Sequence, residues 1–278
     1  MTAGTQVRME QELIRGKVTI CIINYKTVDL IKLCLRSIKH FTEYPYEVIV
    51  VDNDSKDESV DYLRSLDWIT LIERKDLDMK GGQAHSTALD IGLENCKTEY
   101  FLSIHSDTIP HKKGWLKYLV EHIGDDHFCT GCGKIDLKPN WQLMLDKYTD
   151  VKGLLGLRKK RVTQYYIRTI CGLYRTEILK KENQHFWQNG RTSGKDLYHT
   201  LISKGYTANR IDEFDIAEYI YHLSHATMVL NKEEFSVRLK TRLKYMRRLK
   251  KILNSPETQA IMHDASLDEP LKAAAEAN

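Results

Sequence analysis

Asp107 closes the run Phe101-Leu-Ser-Ile-His-Ser-Asp107, where an apolar stretch gives way to a single carboxylate at an expected strand end. A carboxylate so placed is a handle for a metal ion and, through it, for phosphate. Two earlier runs end the same way: Val18-Thr-Ile-Cys-Ile-Ile stops at Asn24 and Tyr25, and Glu47-Val-Ile-Val-Val stops at Asp52 and Asn53. His105 and Ser106 lead into Asp107 itself. Ligands of open α/β sheets gather outside the carboxyl ends of the strands, so three polar-ended strands predict one shared crevice. The competing explanation is ordinary loop polarity, with Asp107 capping the turn that follows it.

The elements that must position these residues alternate. Val18–Tyr25 is followed by Val28–Ile38, where Leu30, Ile31, Leu35 and Ile38 recur at helical spacing. Glu47–Asn53 reads as a second strand, and Val60–Leu66 as an amphipathic helix. Trp68–Ile72 is a third strand, Gly82–Asn95 a small-residue helix and Tyr100–Ile104 a fourth strand. This alternation predicts a largely parallel sheet flanked by helices. Beyond Pro110 the pattern becomes irregular: a helix over Gly114–Ile123, a strand over Phe128–Ile135, and an irregular or helical stretch over Trp141–Lys160 that runs into the basic cluster Arg158–Arg161. Then come a strand over Thr169–Tyr174 feeding Arg175–Lys181, and a helix over Leu197–Lys204 closed by Gly205. The expected divisions are a tail over 1–16, a main domain over 17–228 with halves 17–110 and 111–228, a basic amphipathic helix over 229–254 and a loose tail over 255–278.

Composition narrows the function classes. With 278 residues, 42% hydrophobic and 29% charged, the chain can bury a large core. No run reaches the roughly 18 apolar residues that span a bilayer, and the polar opening lacks a signal-peptide apolar stretch, so a cytoplasmic protein is expected. The six cysteines are scattered and read as buried thiols, with the spacing of Cys129-Thr-Gly-Cys132 leaving a minor redox or metal alternative. The net charge of +4 has one source: residues 232–251 hold nine Lys and Arg against Glu233 and Glu234, a local +7 that leaves −3 elsewhere. Charge confined to one segment argues against nucleic acid as a partner.

Taken together, these residues resemble the inverting family-2 glycosyltransferases of the GT-A (nucleotide-diphospho-sugar transferase) fold, over about Lys17 to Thr227. Val18–Tyr25 resembles that family's first strand, Val50-Val-Asp-Asn-Asp-Ser-Lys-Asp57 its second strand and nucleotide-binding turn, and Ala88-Leu-Asp-Ile-Gly-Leu93 its Ala-x-Asn-x-Gly helix, with Asp90 in place of Asn. His105-Ser-Asp-Thr108 stands where many members carry Asp-x-Asp and is similar to the Asn-Pro-Asp-Thr form of rhamnosyltransferase-like members. Gly190-Arg-Thr-Ser-Gly-Lys-Asp196 resembles the Gly-Glu-Asp motif, with Lys195 replacing Glu, and Tyr221–Thr227 resembles the terminal His-containing segment. The resemblance implies Asp107 as metal ligand, His222 as a further ligand and Asp196 as catalytic base.

The chemistry so implied is sugar transfer from a nucleoside diphosphate to a hydroxyl of a glycan or lipid-linked glycan in surface-polysaccharide synthesis. A divalent cation, Mn²⁺ or Mg²⁺, neutralises the leaving diphosphate; imidazole at His105 tilts the choice toward Mn²⁺. Asp52, an acceptor-only carboxylate, is expected to take the N3–H of uracil or thymine, which selects UDP or dTDP donors. Lys80-Gly81-Gly82 offers a cation beside permissive backbone for the diphosphate, or a plain turn. Asp196 has a second reading as a helix N-cap, and His222 and His225 as structural histidines. Asn231-Lys-Glu-Glu234 reads as a capping box opening a long helix on Phe235, Leu239, Leu243, Met246, Leu249 and Leu253. Its basic face suits an anionic membrane surface at the inner side of the membrane, or the helix packs on the domain or on a second copy. A non-catalytic nucleotide-sugar or glycan-binding module is the rival function, since His105 and Lys195 replace carboxylates.

Overall fold

The computed structural model describes residues 12–75, 78–79, 81–133, 165–190, 192–224 and 226–270. The expectations for Lys80, His225 and the Trp141–Lys160 stretch with its basic cluster fall outside these residues.

The β-rich runs form strands β1 (Ile14–Asn24), β2 (Tyr46–Asn53), β3 (Ile69–Arg74) and β4 (Thr98–His105), joined by helices α1 (Val28–Phe41), α2 (Glu58–Arg64) and α3 (Gly81–Asn95). β1 starts inside the segment expected as a tail and is continuously buried from Val18. β5 (Thr108–Pro110) follows, then α4 (Trp115–Ile123), β6 (His127–Gly131), β7 (Cys171–Arg175), β8 (Thr207–Arg210) and β9 (Ile220–His222). The main sheet has the order β3-β2-β1-β4-β7-β6-β8. Its pairings are parallel except that β7 runs against both β4 and β6. This is the α/β architecture read from the alternation.

Both sheet faces are covered, which is why the strands read as continuous apolar runs. Val18, Ile20 and Ile22 of β1, with Val48 and Val50 of β2, join the core beneath α1 and α4, whereas Cys21, Ile23, Ile49 and Val51 face α3. Each fully buried Ile, Leu or Val contributes about 1.5–3 kcal/mol. On the second face the helix comes very close: a Cβ on Gly92 would stand 2.3 Å from Cys21 Sγ, so only glycine fits there. All six cysteines are buried and free.

Registers then gather the polar strand ends. Asn24 lies beside Asp52, and Ile23 beside His105. β5 leaves the main sheet to pair with β9, placing Thr108 opposite His222. Because β7 is reversed, its entering residues Thr169 and Ile170 reach the same edge at which β4 ends, with Cys171 opposite Ile104.

The C-terminal part departs from expectation in two places. The basic helix spans Leu239–Leu253, not from Phe235; Asn231 instead closes a turn, and its side-chain amide donates to the carbonyl of Lys26 at 3.1 Å. After it, the segment expected as a loose tail forms a helix over Pro256–His263, capped by Ser255, and a 3₁₀ turn over Ala265–Asp268. These pack on α1: Ile261 is buried, Arg36 Nε donates to Asp268 Oδ1 at 2.9 Å, and Tyr62 donates to the same carboxylate at 2.8 Å. Among the described residues no helix is long and apolar enough to cross a membrane.

Candidate functional site

The first polar strand ends interlock. Asn24 Nδ2 donates to Asp52 Oδ1 and to Ser59 Oγ, both at 2.7 Å. The Ser55 amide and hydroxyl donate to Asp52 Oδ2 and Oδ1 at 3.0 and 2.5 Å. Asp52 is only 2% exposed. Its oxygens brace the turn after β2, and the residue also lines a second pocket of about 390 Å³ with Asp54, Arg64 and Arg74. What that brace presents is the turn itself: Asn53 and Asp54 stand in the wall of a cleft of about 840 Å³, with Asp54 held in the left-handed backbone region at φ 57°.

The opposite wall is built from β4, the start of β5 and β9. Asp107, 5% exposed, points Oδ1 at His222 Nε2 (3.4 Å) and at His105 Nδ1 (3.8 Å). Both distances exceed the ~2.9 Å of a good N–H···O bond. The buried oxygen is surrounded but left without a close donor among the described residues. Each imidazole uses its other nitrogen elsewhere: His222 Nδ1 lies 3.1 Å from Ser224 Oγ, and His105 Nε2 lies 3.4 Å from Thr169 Oγ1. Hydroxyl partners on the far nitrogens orient the near ones, the arrangement found behind metal-ligating histidines. Burial pushes the Asp107 carboxyl up, yet the His222 and His105 imidazoles and the Ala226 amide outweigh it and hold the group well below the usual carboxylate range. Burial, reinforced by His85, keeps His105 well below its ordinary value.

One carboxylate oxygen and two imidazole nitrogens lie within 4.8 Å of one another, a donor set that fits a divalent cation. The cleft, in the size range of small-molecule sites, is also lined by Tyr25, Arg168 and Phe235. Tyr25 Oη and Lys26 Nζ both donate to Glu234, which fastens the turn before the basic helix across the mouth.

The profile of the family described as "Glycosyl transferase family 2" matches residues 19–182. The chain belongs to this family. Among curated relatives, the O-antigen chain rhamnosyltransferase RfbN of Salmonella typhimurium is 28% identical over 118 residues, 42% of this chain and 37% of that one. The teichoic acid poly(glycerol phosphate) polymerase of Staphylococcus epidermidis is 33% identical over 94 residues, 33% of this chain and 13% of that one. The matches thus span well under two thirds of either relative. Among solved structures, a mannosyltransferase from Pyrobaculum calidifontis, in complex with GDP-Man and Mn²⁺, superposes with a TM-score of 0.54 at 21% identity, covering 91% of this chain and 70% of that one. S. aureus TarS 1–349 gives 0.51 at 16% identity, over 88% and 69%. The fold is the GT-A fold that the sequence resemblance implies.

In this family-2 chain, seven expected site residues line the one cleft: Tyr25, Asn53, Gly81, His105, Ser106, Asp107 and His222. Asn24 and Asp52 brace it from behind, and Gly82 and Asp196 are not among its lining residues. Asp196 is the second residue of the helix Lys195–Ser203, whose N-cap is Gly194 in the left-handed region, so its alternative reading as the cap is overturned. Asp196 is 9% exposed and accepts from Asn189 Nδ2 at 3.2 Å. It lies two residues beyond Gly194, where an added Cβ would meet the Thr169 methyl at 3.3 Å, and Thr169 is the partner of His105. Asp90, standing for the family's Asn, accepts the Phe186 amide at 2.6 Å and so tethers the segment that carries Asn189. Sequence reasoning placed none of Arg168, Ser224, Glu234 and His85 at the cleft, and read Glu234 only as part of a capping box. His85 carries only the signal of position, three residues ahead of Ala88 on the helix that faces the sheet.

Proposed function

We propose that this chain is an inverting glycosyltransferase that moves a sugar from a UDP- or dTDP-sugar, dTDP-rhamnose being one candidate, to a hydroxyl of a glycan or lipid-linked glycan. The observation that carries the reading is the convergence of His105, Asp107 and His222 on one wall of a cleft large enough for a nucleotide sugar. The name of the relative RfbN, a rhamnosyltransferase, supports glycosyl transfer.

A divalent cation, Mn²⁺ or Mg²⁺, held at this wall supplies the positive charge that a departing diphosphate needs. Asp107 provides the anionic ligand, and Ser224 and Thr169 keep His222 and His105 turned toward it. Arg168, in the same cleft, adds a fixed cation for phosphate oxygens. The turn Asn53-Asp54 reads the pyrimidine, with the Asp54 carboxylate as acceptor for N3–H. Asp196 takes the proton of the attacking hydroxyl, oriented by Asn189. One base acting opposite the leaving group gives a single displacement and inversion at the anomeric carbon. The basic helix serves a peripheral role at an anionic leaflet: Leu239 and Leu243 are exposed at its start among Arg238, Lys240, Arg242 and Lys244, and each cation near such a surface contributes about 1 kcal/mol.

A thermal-shift panel of nucleotide sugars with Mn²⁺ tests the reading. UDP- or dTDP-sugars should raise the melting temperature, by the equivalent of about 2.7 kcal/mol at a hundred times Kd, and NMR of the product should show an inverted anomeric centre. Stabilisation without transfer or donor hydrolysis would leave a binding module, and no stabilisation by any nucleotide sugar would remove the proposal. For the helix, Arg242, Lys244, Arg247 and Arg248 changed together to Gln should abolish salt-sensitive sedimentation with anionic liposomes; wild type that never sediments would return the helix to packing.

A further inference from the structure

The cation wall has a neighbour that the mechanism above does not use. His85, in the first turns of α3, lines the same cleft, and its ring meets that of His105 edge to face with centroids 4.7 Å apart. His105 in turn meets His222 edge to face at 5.9 Å. Three imidazoles therefore stand in a row beside one carboxylate. The residue as a whole is half-buried, yet its Nε2 is shielded from solvent and has no hydrogen-bond partner among the described residues. A buried polar atom without a partner costs about 1–3 kcal/mol. A ligand in the cleft would remove that cost.

We propose that His85 is a further nitrogen donor of the cation site, and that the resulting set of three imidazoles and Asp107 makes the site select Mn²⁺, Co²⁺ or Zn²⁺ over Mg²⁺. The inference rests on the cation reading given under the proposed function. Its chemistry follows from the donors. Mg²⁺ demands hard oxygen ligands in near-ideal octahedral geometry and keeps its waters, whereas imidazole suits the later first-row ions. A site with one carboxylate supplies a single protein oxygen ligand. His85 stands outside the group of atoms that already lie within 4.8 Å of one another, so it joins by changing its own rotamer toward the ion.

Co²⁺ titration of the metal-free full-length protein, followed by its visible absorption bands, tests this without donor or acceptor. Wild type should bind Co²⁺ with bands of low-symmetry, nitrogen-rich coordination that a large excess of Mg²⁺ fails to bleach and Zn²⁺ displaces. His85→Ala should weaken Co²⁺ binding by about 10–100-fold, the usual cost of losing a supporting metal-site residue. It should also shift the bands and narrow the preference over Mg²⁺. His85→Gln, which keeps side-chain bulk, should behave like the Ala variant if the nitrogen matters and like wild type if only packing does. Unchanged affinity and bands in both variants, or displacement of Co²⁺ by Mg²⁺ at comparable concentrations, would overturn the proposal. Asp107→Ala separates the two readings: it should abolish Co²⁺ binding altogether. Binding that survives Asp107→Ala would sink the cation site itself, whereas binding lost there but indifferent to His85 would sink only the role of His85.

Discussion

The two walls of the cleft carry similar residues in opposite states. On the β1–β2 side, Asn24, Asp52, Ser55 and Ser59 hold one another at 2.5–3.2 Å, a closed network. On the other side, Asp107 Oδ1 of the β4–β9 wall and His85 Nε2 of α3 are shielded from solvent but lack close partners among the described residues. The first cluster has already gained the energy its hydrogen bonds can give. The second has desolvation still uncompensated, and that deficit is what a bound ligand would relieve. Polarity at a strand end thus marks a binding edge only where the polar atoms remain unanswered.

Breaking the unsatisfied wall should have the larger effect on function and the smaller on stability. Asp107→Ala should fold and lose metal-dependent affinity for UDP and dTDP, measured by calorimetric titration with Mn²⁺; unchanged affinity would erase the contrast between the walls. Asp196→Asn keeps shape and removes basicity, so turnover should fall at least ~10²-fold while donor affinity stays the same. Turnover within a few-fold of wild type would leave Asp196 a helix-start residue only.

The satisfied wall should respond the other way. Asn24→Ala leaves Asp52 and Ser59 without their shared donor, and chemical denaturation should show a loss of roughly 1–3 kcal/mol. A stability loss below that range with donor binding abolished would mean that Asn24 touches the ligand. A smaller, pH-dependent effect belongs to the Arg36–Asp268 contact. Burial raises the Asp268 pKa, but hydrogen bonds from Arg36 and Tyr62 more than offset it and leave it depressed. A depressed carboxylate stabilises above its unfolded pKa near 3.9 and loses that contribution as pH falls through the folded value. The melting-temperature gap between wild type and Asp268→Asn should be full at pH 5–7 and close below about pH 4. A gap that stays constant with pH would assign the contact to packing alone.

The strands and their edge were legible because each run is buried on both faces, so Val18–Ile23, with Thr19 the one polar exception, and Val48–Val51 had to be apolar. Asp107 was legible as the break in such a run. The state of Asp52 was not, because its partners Asn24, Ser55 and Ser59 are gathered by strand register and the turn after β2, and a sequence shows acceptors without showing what fills them. The Asn231–Glu234 capping signal misled because tertiary partners won: Asn231 is drawn to the Lys26 carbonyl and Glu234 to Tyr25 and Lys26. The helix after Ser255 carried a readable start in Ser255-Pro256, with proline at the first helical position. His85 became visible only once β4 and α3 were placed together.

The reversal of β7 has a consequence for how the rear of the cleft is held. Chain leaving β6 and chain approaching β7 meet at the sheet edge, where the Arg168 amide donates to the Cys132 carbonyl at 3.1 Å. Arg168 and Thr169 are therefore anchored by the strand ladder itself, so the cation that lines the cleft and the hydroxyl that meets His105 move only if the ladder does.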